Sequence, residues 1–242
     1  MSKFEFEAIG FVQSPFKEKF GIPRQPGLVA GAVGVLKLRD EDFIKQAIRE
    51  IDGFSHLWLV FVFHEHGAKN WKPSIRPPRL GGAKKVGVLA SRSPHRPNPI
   101  GLSAVKLLEV RADAPGGAEL VIEGVDLLDG TPVLDIKPYI PYADSIPDAK
   151  AGWAEEPIIR TPVDFSDKAV LEVAKRMAAH PDLRRLIEEM LTLDPRPAFQ
   201  KRRAPAGSPE AEGLTYGFKL FDYDVKWRIE AGRFVVIDVI DL

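Results

Sequence analysis

The sequence predicts a mainly β fold in two parts: a β-barrel-like domain over residues 1–150, then a small α+β domain over residues 151–242. Three observations carry this expectation. Before residue 150, short apolar runs alternate with Pro- and Gly-rich turns and only one segment has helical spacing. Many short strands with one helix suit an open or closed barrel better than a doubly wound sheet. From residue 166 the pattern changes to two amphipathic helices followed by β-type runs, and a stretch without periodicity, roughly 145–165, reads as the linker.

In chain order, residues 4–12 (FEFEAIGFV) alternate and predict a first strand. SPFKEKFGIPRQPG (14–27) is too rich in Pro and Gly for a helix and long enough to be functional. Residues 28–38 (LVAGAVGVLKL) read as a glycine-containing strand or pair of strands. In EDFIKQAIREIDGF, Phe43, Ile44, Ala47, Ile48 and Ile51 make one helical stripe, with Asp40 a candidate N-cap and Gly53 a candidate stop. SHLWLVFVF (55–63) is nearly continuous β-branched and aromatic sequence, the pattern of a strand buried on both faces. A basic loop (64–85) leads to a strand VGVLAS (86–91), and residues 101–111 and 118–127 form a hairpin around Ala114–Gly117. Residues 127–149 alternate short apolar pieces with Pro, Gly and Asp. In the second part, a helix over 166–179 is capped by Ser166 or Asp167 and stops at His180-Pro181. A second helix carries proline in its first turn, 195–213 is a basic and then flexible loop, and YGFKLFDYDVKWRI and GRFVVIDVI are strands.

Lysine plus arginine and aspartate plus glutamate balance at 34 each, yet unevenly. No acid lies between Glu65 and Glu109, an interval holding Lys69, Lys72, Arg76, Arg79, Lys84, Lys85, Arg92, Arg96 and Lys106. A phosphate-binding surface and a plain solvated face both fit such a segment. No apolar run approaches the ~20 residues of a membrane span, and the first residues resemble no signal or transit peptide. With no cysteine there is no disulfide framework, thiolate metal site or catalytic thiol. The expectation is a cytoplasmic protein without membrane partner or metal.

Within the basic segment stands RSPHRPNPIG (92–101). Each of its prolines fixes φ and pushes the preceding residue, Ser93, Arg96 or Asn98, toward an extended backbone. The loop is therefore rigid and aims Arg92, Arg96 and Asn98 in set directions, as a grip on an anionic or planar ligand requires. Pro23-Arg24-Gln25-Pro26-Gly27 is a second proline-bracketed polar pair of the same construction. Asp135, Lys137 and Tyr139 fall on one face of an extended segment, which suits acid–base work or a cross-strand ion pair equally. His64-x-His66 is a strand-end polar turn rather than a metal pair, because no third ligand stands at a recognisable spacing. There is no P-loop, no Rossmann glycine pattern and no Gly-x-Ser-x-Gly elbow.

Taken in order, SPFKEKFGIPRQPG, GFSHLWLVFVFHEH, PPRLGG, RSPHRPNPIG and LLDGTPVLDIKPYIPYAD resemble the TsaA-like family of S-adenosylmethionine-dependent tRNA methyltransferases. DPRPAFQK and YGFKLFDYDVKWRI resemble the C-terminal domain of its bacterial full-length members. The resemblance implies a β-barrel enzyme, usually a homodimer, that methylates N6 of threonylcarbamoyladenosine just 3′ of the anticodon in tRNA. The implied cofactor positions are Arg24, Gln25 and Pro26, His64 and Glu65, Arg92, Leu102, and the turn Asp126, Leu127, Leu128, Asp129 and Gly130. Since N6 there carries a carbamoyl group, a base or an anion-stabilising cation is expected. Asp135 is the candidate base, Tyr139 its hydrogen-bonding partner, and Lys137, Arg96 or Arg92 a cation for the substrate's carboxylate. Asn98 and Lys84, with Arg196, Lys201 and Arg202 from the second domain, are candidate RNA contacts, as are Lys69, Lys72, Arg76, Arg79, Lys85 and Arg203. Trp71 and Phe199 are candidate stacking platforms. A non-catalytic cofactor- or RNA-binding module, and a methyltransferase with another acceptor, are the competing readings.

Overall fold

The computed structural model describes residues 3–65 and 71–242; His66 and Lys69 lie outside the described residues. Six antiparallel strands close a barrel in the order β1-β2-β7-β6-β3-β8. They are β1 (Gly10–Gln13), β2 (Val33–Leu38), β3 (His56–Val62), β6 (Ile100–Arg111), β7 (Glu119–Glu123) and β8 (Thr131–Pro138). The two short strands β4 (Ser74–Ile75) and β5 (Val86–Gly87) pair separately, within the basic segment.

Closure leaves each barrel strand one inner and one outer face, so burial alternates where the sequence alone suggested two buried faces. In β3, Leu57, Leu59 and Phe61 point into the core while Trp58, Val60 and Val62 are only half-buried outside. The inner set joins Val12, Leu36, Leu38, Val105, Leu120, Ile122 and Val133. Helix α1 (Asp42–Ala47) adds Ile44 and the following Ile48 to the same core, but is shorter than its stripe predicted. Its N-cap is Glu41, without a side-chain capping bond, not Asp40, and a 3₁₀ turn covers Ile51–Gly53. The first strand is also shorter than expected: Phe4 and Phe6 stay exposed ahead of β1. VGVLAS forms strand only at Val86–Gly87 and then turns as a 3₁₀ helix over Val88–Ala90.

The second unit is a four-stranded sheet, β10-β11-β12-β9, with helices packed on it. It comprises β9 (Val163–Phe165), β10 (Thr215–Leu220), β11 (Tyr223–Glu230) and β12 (Arg233–Asp241), with α3 (Asp167–Arg176), α4 (Leu183–Thr192) and α5 (Ala198–Arg203). A further short helix, α2 (Pro141–Asp144), precedes the linker. Ser166 caps α3 as expected, accepting from the Ala169 N–H at 3.2 Å. Pro181 lies just outside α4, whose N-cap is Asp182. The basic loop expected at 195–213 contains α5, and YGFKLFDYDVKWRI is a hairpin that turns at Phe221 and Asp222.

The two units share one segment. From the 14–32 loop, Phe16, Val29 and Ala32 are buried in the second unit's core beside Met190, Phe218 and Trp227, with Phe20 and Ile22 packed against it. The Phe221 N–H donates to the Pro15 carbonyl at 2.7 Å, and the Gly31 N–H donates to the Glu189 carboxylate at 2.9 Å. On its other side the loop is held by the barrel: the Asp129 N–H donates to the Phe16 carbonyl at 2.9 Å, and the Ser14 hydroxyl to the Leu127 carbonyl at 2.7 Å.

Phe16→Ala should therefore destabilise the second unit as well as the loop, by about 3–5 kcal/mol for a buried phenylalanine. Hydrogen exchange at amides of β10 and α4, beside a urea titration, checks this; an effect confined to barrel amides would contradict the shared core.

Candidate functional site

Gln25, at the bend of the shared loop, and Arg92, at the start of the proline-rich loop, meet directly. The Arg92 guanidinium donates to the Gln25 side-chain oxygen at 2.5 Å. Asp126 lies just beyond the end of β7, and the buried hydroxyl of Ser103, on the inner face of β6, donates to its carboxylate at 2.6 Å. Burial pushes the Asp126 carboxyl up to about 6, against the opposing pull of the Ser103 hydrogen bond, its own backbone N–H and the Arg92 charge. Gln25, Arg92, Asp126 and Ser103 thus form one polar constellation drawn from four segments.

The other expected cofactor positions make contacts of their own. Leu127 is buried in the barrel core, so its side chain is spent on packing. The Leu128 carbonyl accepts the Thr131 hydroxyl at 2.6 Å. Asp129 accepts the Ser14 N–H at 2.9 Å and pairs with Lys17 at 2.8 Å, and Gly130 supplies the positive φ of 75° that closes the turn. Glu65 pairs with Lys19 at 3.3 Å, and the exposed His64 bonds through its N–H to the Val62 carbonyl. Pro26 follows Gln25, and Arg24 turns toward the second unit, donating to the Arg196 carbonyl at 3.5 Å. Leu102 faces outward and is 53% exposed.

The expected base is engaged with its own neighbours. Asp135, Lys137 and Tyr139 do lie together, but on the outside of the barrel: Val60 is the register partner of both Leu102 and Asp135, and Trp58 that of Lys137. Asp135 is committed to Lys137 at 2.7 Å and accepts the Ile136 N–H at 2.9 Å. Tyr139 packs against Trp58, ring centroids 5.6 Å apart.

Two of the expected RNA contacts are likewise engaged within the second unit. Arg196 is 1% exposed, forks onto Asp194 with two 2.8 Å bonds, donates to the Ala204 carbonyl and lies over the Tyr216 and Phe234 rings. No phosphate reaches it; it is a strut of the second core. Lys201 is turned onto the Asp194 carbonyl at 2.5 Å. Arg202, by contrast, bridges the units: it donates to the Gly81 carbonyl, beside Arg76, Arg79, Lys84 and Lys85, which stay exposed. Arg96 braces its own loop through the Ser91 carbonyl at 3.2 Å, and Asn98 is exposed. Lys72, Trp71, Phe199 and Arg203 are exposed too. Ser103, Lys17 and Lys19 were missed in the sequence. Only Ser103 left a signal, a hydroxyl at an inward position of an otherwise apolar strand.

Comparison with known proteins decides the relationship. The model of the tRNA-methyltransferase O N-terminal domain matches residues 11–145, and that of the TrmO C-terminal domain residues 159–242. The chain belongs to the TrmO family. A relative from Escherichia coli K12, named tRNA (adenine(37)-N6)-methyltransferase, is 46% identical over 240 residues, 98% of this chain and 97% of that protein. A relative from Pseudomonas aeruginosa, named as a putative S-adenosylmethionine-dependent methyltransferase, is 44% identical over 91% of this chain and 90% of its own. The crystal structure of TrmO from P. aeruginosa superposes with a TM-score of 0.78 at 36% identity, covering 98% of each chain. The family barrel and its C-terminal unit are therefore both present. Among the described residues no cluster suited to a metal ion is found, and no helix is long and apolar enough to cross a membrane.

The raised Asp126 carboxyl has a consequence for stability. A carboxyl whose pKa is higher folded than unfolded binds more protons in the folded state between the two values, so stability falls as pH rises from about 4 to about 6 and stays lower above. Asp126→Asn should accordingly stabilise the protein by about 1–3 kcal/mol at pH 8, and by nothing below pH ~4. Urea denaturation at the two pH values reads the difference; equal gains at both would show that the carboxylate is not desolvated.

Proposed function

We propose that this chain is an S-adenosylmethionine-dependent tRNA methyltransferase that methylates N6 of threonylcarbamoyladenosine 3′ of the anticodon, giving its N6-methyl form in tRNA-Thr. The observation that carries this reading is the Gln25–Arg92 pair beside the half-buried Asp126, flanked by exposed cations of the basic segment. The family membership and the printed names of the E. coli and P. aeruginosa relatives support it.

The residues fit the cofactor's chemistry. It carries a carboxylate, for which Arg92 is the matching cation held by Gln25. When bound, S-adenosylmethionine supplies a methyl group on a positively charged sulfur. The protein's part is then to hold the acceptor nitrogen in line with that carbon and to manage the proton on it. Arg96 and Asn98, on the stiff loop, face the acceptor nucleotide, Arg96 as cation for its carboxylate. Lys84, with Lys72, Arg76, Arg79 and Lys85, meets phosphates of the anticodon stem-loop, and Arg202 ties the C-terminal unit to that surface.

On this reading residues 1–150 carry the chemistry and residues 151–242 support the cofactor loop and the RNA surface. The protein works in the cytoplasm as a homodimer, with the outer β6-β3-β8 face, where Ile100 and Leu102 are exposed, as the joint.

Mass spectrometry of tRNA-Thr nucleosides, from cells lacking and then regaining the gene, should show methylated threonylcarbamoyladenosine lost and restored. Unchanged levels would sink the assignment, and label passing from the methyl donor to another nucleoside or a small molecule would redirect it. Arg92→Ala should weaken binding of S-adenosylmethionine about 30-fold by calorimetry, the equivalent of ~2 kcal/mol for a lost charge-assisted bond; unaltered affinity would remove Arg92 from the cofactor shell.

A further inference from the structure

Four carboxylates stand at or beside the site, and three of them are neutralised. Glu65 is paired with Lys19 at 3.3 Å, Asp129 with Lys17 at 2.8 Å and Asp135 with Lys137 at 2.7 Å. Asp126 forms no ion pair among the described residues. It is held by a neutral donor, the Ser103 hydroxyl, at 2.6 Å.

That donor is fixed. Ser103 is 1% exposed on the inner face of β6, opposite Leu59, and its neighbour Leu102 points the other way. The groups that face Asp126 are few. The proline-rich loop contributes Arg92, whose side chain is bonded to the neutral Gln25 of the shared loop. The barrel contributes Ser103, and the other charges nearby, Lys17 and Asp129, satisfy each other.

We propose that Asp126 is the general base of the methyl transfer and that Ser103 is the positioning residue that holds it. This rests on the transferase reading above. A carboxylate with no salt-bridged partner among the described residues, oriented by a hydroxyl and largely desolvated, accepts a proton more readily than one bound to lysine. Its elevated titration, to about 6, leaves it ionised yet basic at neutral pH.

In the step itself, the N6 proton of the acceptor passes to a carboxylate oxygen of Asp126 as the N6 electron pair forms the new N–C bond. The C–S bond breaks with its electrons on sulfur, which becomes a neutral thioether. One positive and one negative charge are lost together, so the net charge is unchanged, and Asp126 then releases its proton to water.

The test uses the full-length protein with tRNA, reading single-turnover methylation, calorimetry with S-adenosylmethionine and S-adenosylhomocysteine, and the carboxyl ¹³C NMR titration of Asp126. Asp126→Asn should slow methyl transfer about 100-fold or more at saturating S-adenosylmethionine, with any change in affinity equal for S-adenosylmethionine and S-adenosylhomocysteine. The wild-type rate should fall on the acid side with the Asp126 titration, near pH 6. Ser103→Ala, which removes a donor to the charged form, should move the NMR titration and the acid limb of the rate to higher pH together.

A Ser103→Ala protein that only melts earlier, with both titrations in place, would make Ser103 structural and overturn its part. Asp126→Asn at near wild-type rate would overturn the base. So would a variant that loses affinity for S-adenosylmethionine but keeps it for the uncharged thioether product, because Asp126 would then be a counter-charge to the sulfur. Absence of methyl transfer by the wild type is a separate result and counts against the transferase reading itself.

Discussion

The arrangement of the site depends on one segment belonging to two cores. Residues 14–32 place Phe16, Val29 and Ala32 in the interior of the C-terminal unit, while Ser14 and the Phe16 carbonyl are bonded to the turn that follows β7 in the barrel. Between these anchors the chain presents Gln25 to Arg92. A segment with three prolines and three glycines in nineteen residues has too little apolar surface to order itself, so its conformation is set by what it is packed between. The C-terminal unit is thus part of the machinery that shapes the barrel's polar constellation, whether or not any of its side chains touches a ligand.

Charge is handled in the same economical manner. The cations nearest the second core, Arg196 and Lys201, are consumed by Asp194, which leaves the exposed cations of the 72–85 segment as the free positive surface. The acids around the site are mostly consumed by lysines from the shared loop and from β8 itself. A neutral chain in total can therefore offer a basic face for a polyanion and also a buried carboxylate, Asp126, held by a hydroxyl instead of a salt bridge.

Much of this was legible in the sequence, for reasons that can be assigned. The barrel followed from the count of short β-type runs, and the stiff loop from its prolines. The two long C-terminal helices followed from their apolar stripes, and the Asp129-Gly130 turn from its turn chemistry. What failed did so where tertiary context overrides a local pattern. SHLWLVFVF carries apolar residues on both faces, yet only closure of the barrel decides which face is the interior. Arg196 sits in a basic run that resembles an RNA contact, but a guanidinium over two aromatic rings with a carboxylate nearby is also a stable core element. For Asp135 the sequence left acid–base work and an ion pair equally open, because pairing with Lys137, two residues away, depends on side-chain reach rather than on spacing. Ser103 was passed over because one hydroxyl in GLSAV has no meaning until Asp126, from another strand end, is seen against it.

The bonds that fasten the shared loop to the C-terminal unit span very long stretches of chain. Glu18 accepts the Lys219 N–H across 201 residues, Arg24 meets Arg196 across 172, and Gly31 meets Glu189 across 158. Contacts of such separation cost the most loop-closure entropy and form late, after the local hairpins and helices. During synthesis the barrel strands emerge well before β10 and β11, so the loop has no second core to enter until that sheet has emerged. Assembly of the polar constellation is in this way tied to formation of the C-terminal unit, and a barrel without that unit carries the motifs without the geometry.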